Sequence, residues 1–102
     1  MKYYFPIRGE RYVPSLQHAL TEMIDCIIHN RQLATFPSYQ KARQAGERLL
    51  IDDDTFSVFC IEQRGVCFTI YCVDRKDPEK IIYDYVFLPK EIKNYIYFAK
   101  TP

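Results

Sequence analysis

The chain is predicted to fold as an α+β domain: a small antiparallel sheet of four to five strands with two N-terminal helices packed on one face. Three features predict this. Apolar residues recur at helical spacing in two stretches of the first half. After residue 55 the period shortens to that of strands, with β-branched, aromatic and Cys-rich segments. The later segments are separated by short polar breaks, so helices cluster early and strands late.

Residues 2–5 are β-prone and predict a short first strand, and Pro6 and Gly9 mark residues 6–13 as a loop. A first helix is predicted from Pro14 or Ser15 to Asn30, since proline suits the first helical position and asparagine a left-handed stop. Leu16, Leu20, Met23, Ile24 and Ile27 give it one wide apolar stripe. A second helix is predicted over 38–50, with Ser38 as its N-cap. Tyr39, Ala42, Ala45, Gly46 and Leu49 share one side, and Gly46 in mid-helix signals close approach to a neighbour.

Thr55 to Glu62 and Val66 to Val73 read as a hairpin around Gln63-Arg64-Gly65, a three-residue loop with Gly65 in its left-handed position. That register puts Phe56, Val58, Cys60, Val66, Phe68, Ile70 and Cys72 on one face, all apolar. Thr55, Ser57, Phe59, Ile61, Cys67, Thr69, Tyr71 and Val73 fall on the other. After a polar connection from Asp74 to Pro78, Lys80 to Leu88 reads as a further strand. It carries Ile81, Tyr83, Tyr85 and Phe87 on one side. Leu88-Pro89-Lys90-Glu91 suits the opening of a short helix and residues 95–99 read as a last strand, with a helix over 90–98 as the alternative.

With 102 residues, 48% of them hydrophobic, the chain supports one core and one domain spanning 1–102. A 26% charged fraction excludes disorder as the main state. Fourteen Lys and Arg against thirteen Asp and Glu leave +1, which argues against a polyanion-coating protein and against an acidic nucleic-acid mimic. The start shows no signal-peptide pattern, and no stretch approaches the roughly 18–20 apolar residues of a membrane helix. The expectation is a soluble cytoplasmic protein with no membrane partner. Cys26, Cys60, Cys67 and Cys72 lack Cys-x-x-Cys spacing and read as small buried hydrophobes kept as thiols.

Chemistry-bearing patterns are sparse. His18, Glu22, Asp25 and His29 share one stripe of the first helix, a weak metal-ligand candidate set whose simpler reading is a solvated polar face. Asp52-Asp53-Asp54 lacks the alternation and distal Glu of a calcium loop and reads as a turn. No nucleophile elbow, phosphate loop or zinc-protease motif is present, so neither an enzyme nor a cofactor is expected. Arg64, Gly65, Phe68 and Tyr71 match positions of the first signature of RNA-recognition domains, which the stretch resembles. Phe68 and Tyr71 lie on opposite faces of their strand, however, and so cannot form one stacking platform. Lys41, Arg43 and Arg48 offer a basic side of the second helix for nucleic acid.

The aromatic surplus, nine Tyr and seven Phe, is the stronger indication. With both helices on one face, Phe59, Tyr71, Tyr83 and Tyr85 would stand on the open one, with Arg64, Arg75 and Lys76 at its rim. Such rings anchor protein interfaces. The expectation is a protein-binding module, a stoichiometric inhibitor or regulator of a larger protein or nucleoprotein complex, with a homodimer as another way to cover the face. In size and lack of motifs it resembles the anti-defence proteins of phages and mobile elements, CRISPR inhibitors among them. That is an analogy of class.

Overall fold

The computed structural model describes residues 2–9, 16–49, 55–74, 76–82 and 86–100. In chain order the elements are β1 (Lys2–Gly9), α1 (Leu16–Ile28), β2 (Leu33–Thr35), α2 (Tyr39–Leu49), β3 (Thr55–Arg64), β4 (Cys67–Cys72) and β5 (Val86–Pro89), then a 3-10 helix (Lys90–Tyr95) and β6 (Ile96–Phe98). Mixed helices and strands around an antiparallel sheet of order β1-β3-β4-β5 make this an α+β fold. A second, two-stranded sheet pairs β2 with β6 in parallel. Tyr4 and Phe36 join the two sheets by exchanging backbone hydrogen bonds, both 2.7 Å.

The helix ends follow local chemistry. Asn30 takes a left-handed φ of 51°. Its N–H donates to Ile27 O and that of Arg31 to Cys26 O, the paired bonds of a Schellman stop. Ser38 caps α2, its Oγ accepting from the Lys41 N–H at 3.1 Å. Gly46 lies against Phe56, where an added Cβ would meet ring carbons at 2.5 Å. The close neighbour that its mid-helix position signalled is this ring.

β1 runs through Pro6 to Gly9, where a loop was expected. The Tyr4 N–H points away from β3, toward Phe36, and Pro6 two residues on has the same orientation. The missing proline donor therefore falls on the outer edge, and no ladder bond is lost. β2 has no counterpart in the predicted order; three residues give too little pattern to read. Of the predicted strand over 80–88, Ile81 bridges Val73 and the end from Val86 lies in β5, while residues 83–85 lie outside the described ones. Beyond Pro89 a six-residue 3-10 helix leads into β6, so the last strand stands and a helix continuing to 98 does not.

The hairpin register corrects the expected one. Arg64 pairs with Cys67, Ile61 with Ile70 and Cys60 with Tyr71, so the turn is the two-residue Gly65-Val66. Gly65 has φ +62°, while Val66 is not among the positive-φ residues. Positive φ at the first central residue alone is the sign pattern of a II′ turn, which puts glycine first rather than last. The change reverses one strand's faces relative to the other. Phe59 and Ile61 now share a face with Phe68, Ile70 and Cys72; Val58 and Cys60 share the opposite one with Tyr71 and Val73.

The helices are correspondingly divided between the two faces, not gathered on one. Ala19 and Met23 of α1 pack with Phe5, Ile7, Phe59, Ile61, Phe68 and Ile70, together with Ile92 and Ile96. Tyr39 and Ala42 of α2 pack with Phe56, Val58, Cys60, Tyr71 and Val73. The central strands are covered on both sides, as their near-continuous apolar composition allows. Each large apolar side chain fully buried in this way contributes about 1.5–3 kcal/mol. The α1 stripe is also shifted: Ala19, Met23 and Cys26 turn inward, while Ile24, Ile27 and Ile28 stand exposed.

Candidate protein-interaction site

The two described rings of the expected aromatic platform are buried. Phe59 is 0% exposed, its ring stacked on Phe5 at a centroid distance of 5.9 Å. Tyr71 is 3% exposed on the other face, beside its cross-strand neighbour Cys60. Two covered faces leave neither ring open to a partner, so both are corrected from contact residues to core residues. Tyr83, Tyr85 and Arg75 lie outside the described residues. Arg64 is exposed at the hairpin end and pairs with Glu62 at 2.9 Å. Lys76 is exposed, and its backbone N–H donates to Asp74 Oδ1.

Burial governs the ionisable groups of the α2 face. It pushes the Cys60 thiol up to about 11 against the lowering effect of its hydrogen bond with Tyr71, and raises the Tyr71 phenol in turn. Cys26 is likewise raised, chiefly by burial. All four cysteines are free, and Cys26, Cys60 and Cys72 are buried. Raised, sheltered thiols of this kind are poor nucleophiles.

The helical candidates do not converge. Lys41 and Arg48 are seven residues apart and project alike, but Arg43 stands roughly 160° around the axis from Lys41, at about 100° per residue. The apolar stripe of α2 lies between them. Arg43 pairs with Glu47 at 3.7 Å, and Lys41 is half-buried. These three cations form no continuous basic strip. On α1, His29 meets Asp25 at 3.1 Å, and Arg31 pairs with the same carboxylate. Glu22 is exposed, and the His18 side chain lies outside the described ones. Among the described residues no group of three or more His, Cys, Asp and Glu is placed to hold a metal ion. None of the described helices is long and apolar enough to cross a membrane.

Among the described residues the fold leaves open a cleft of about 360 Å³, lined by Tyr3, Ile61, Gln63, Phe68, Lys93 and Phe98. Its floor is two rungs of the main sheet at the hairpin end, Tyr3 beside Ile61 and Gln63 beside Phe68. These four side chains share the α1 face of the sheet because their positions alternate in register. Chain order supplies the walls. β5 ends at Pro89, the 3-10 helix anchors its buried Ile92 in the core, and β6 then brings Phe98 over the sheet. Phe98 meets Tyr3 edge-on at 4.8 Å and stacks on Phe68 at 6.2 Å. Ile61 and Phe68 are buried at the base, Tyr3 and Phe98 are half-buried, and Gln63 and Lys93 are exposed at the rim.

Sequence reasoning missed this cleft because its residues come from five separated segments. The visible signal was limited to Phe68 and to the strand over 95–99. With this geometry in view, comparison with known proteins adds no relative: no family model, curated protein or solved structure matches the chain.

Proposed function

We propose that the protein is a small cytoplasmic protein-binding module. It occupies a partner's surface stoichiometrically, as an inhibitor or regulator of a larger complex. The observation that supports this reading is the open cleft. Three clustered rings frame a concave apolar floor with two polar side chains at its rim, the usual make-up of a binding site of this volume. The four free thiols support a reducing compartment. An apolar side chain of a partner fits the floor better than a nucleobase does. The Phe68 ring is 4% exposed and stacks under Phe98, so it offers no open face for stacking.

The test is a selection of random heptapeptides on the immobilised protein, followed by backbone-amide shift mapping with the peptides recovered. The expected result is movement of Tyr3, Gln63, Phe68, Lys93 and Phe98. Peptides that move amides elsewhere, on exposed Ile24 and Ile28 for instance, overturn the assignment of the seat.

A further inference from the structure

The rim of the cleft carries a charge pattern that specifies its occupant. The six residues Lys90–Tyr95 form a 3-10 helix, in which side chains three apart eclipse one another. The segment therefore divides into three stripes: Ile92 with Tyr95, Glu91 with Asn94, and Lys90 with Lys93. The first is the inward stripe, Ile92 buried and Tyr95 half-buried. The third is exposed, and Lys93 lines the cleft. Its two ammonium groups stem from positions about 6 Å apart along the axis, at ~2 Å rise per residue. Among the described residues neither lysine takes part in an ion pair, whereas Arg43 and Arg64 are both paired. The cleft thus sets an apolar floor beside the Lys93 ammonium, with Lys90 in line with it one turn away and neither ion-paired among the described residues.

We infer that the cleft recognises an acidic peptide segment of a partner protein. One large apolar side chain of that segment packs on the half-buried Tyr3 and Phe98 rings above the buried Phe68, and acidic residues beside it meet Lys93 and Lys90. This inference rests on the binding reading above and adds the partner's chemistry to it. The apolar anchor supplies affinity by burial, and the lysines supply choice of partner and orientation.

The peptide selection is repeated on the Lys90→Glu/Lys93→Glu variant, with Lys90→Gln/Lys93→Gln as a second variant should the reversal disturb folding. Amide spectra of each variant confirm the fold. On the parent protein, recovered peptides are expected to carry one aromatic or large aliphatic residue with Asp or Glu within three positions. Their Kd is expected to rise about tenfold on the charge-reversed variant and to rise with added salt on the parent. Selection on the reversed variant should return Lys or Arg in place of the acids. Peptides that keep the apolar anchor but show no acidic preference, or bind both proteins equally, overturn this inference and leave the binding reading standing. Failure to recover any peptide that moves the cleft amides overturns both. Titration with a fifteen-residue oligo-thymidine is the remaining arm; cleft amides moved by it more strongly than by the selected peptides overturn the protein partner.

Discussion

The two faces of the main sheet are finished differently. On one, α2 lies over Phe56, Val58, Cys60, Tyr71 and Val73, with Gly46 set directly on the Phe56 ring. Small residues let the helix sit close, and the layer is sealed down to a buried hydrogen bond between Cys60 and Tyr71. On the other face, α1, the 3-10 helix and β6 share the cover over a larger cluster built around Phe5, Phe59, Ile61 and Ile70. Cover assembled from several short pieces meets along seams. At the hairpin end the seam between the 3-10 helix and β6 stays open, and the cleft is that opening. The comparison teaches that closeness of packing, more than apolar content, decides which face is left with a site.

The strongest way to break this contrast is Phe59→Ala. The ring is fully buried against Phe5, so the substitution is expected to destabilise the fold by about 3–5 kcal/mol, read as a shift of the urea midpoint. A solvent-facing partner anchor would leave that midpoint unmoved. Gly46→Ala probes the tight face. Its Cβ would overlap the Phe56 ring, so a net loss of about 2 kcal/mol is expected although alanine is the better helix former. Adding Phe56→Leu should recover part of the loss, and additive losses in the double mutant would refute the clash.

Ser38→Ala removes the cap of α2 and should cost about 1 kcal/mol by the same measurement.

The sealed face also sets an alkaline limit. The Cys60 thiol is raised from 9.0 to about 11, and the Tyr71 phenol is raised too, in both cases chiefly by burial. Unfolded, these groups release protons that the folded chain retains. The Cys60 contribution is therefore complete below pH 9 and is lost as pH climbs toward about 11, and that of Tyr71 declines from pH 10 upward. The Cys60→Ala/Tyr71→Phe variant should show a shallower loss of stability across that window, with Tyr4 and Cys26 still contributing. An unchanged alkaline profile would place the proton-linked groups elsewhere.

The smallest effect belongs to the open face. Lys93→Glu should move the urea midpoint by less than about 0.5 kcal/mol, because the side chain is exposed and unpaired. A larger loss would make Lys93 part of the packing instead of the rim.

Much of this fold was legible from local chemistry. The Asn30 stop, the Ser38 cap, the close packing at Gly46 and the change of period after Thr55 each depend on a residue and its near neighbours. The cleft was not legible, because Tyr3, Ile61, Phe68, Lys93 and Phe98 meet only after β1, β3, β4, the 3-10 helix and β6 are assembled. The platform reading failed at two points: a loop taken as three residues rather than two moved Phe59 and Ile61 to the wrong side of β4, and both helices were placed on one face where they cover two.

The chain's own residues determined the α+β class, both helices with the stop at Asn30 and the cap at Ser38, and the two long strands of the hairpin. Those features follow from periodicity, caps and turn residues that act within a few positions. Tertiary structure alone decided which helix covers which face, the pairing of β2 with β6, and the place left uncovered. The physical reason is that β3 and β4 are apolar on both sides for much of their length. Alternation then cannot tell inside from outside, and face assignment passes to the sign of φ at Gly65 and to the packing of distant segments.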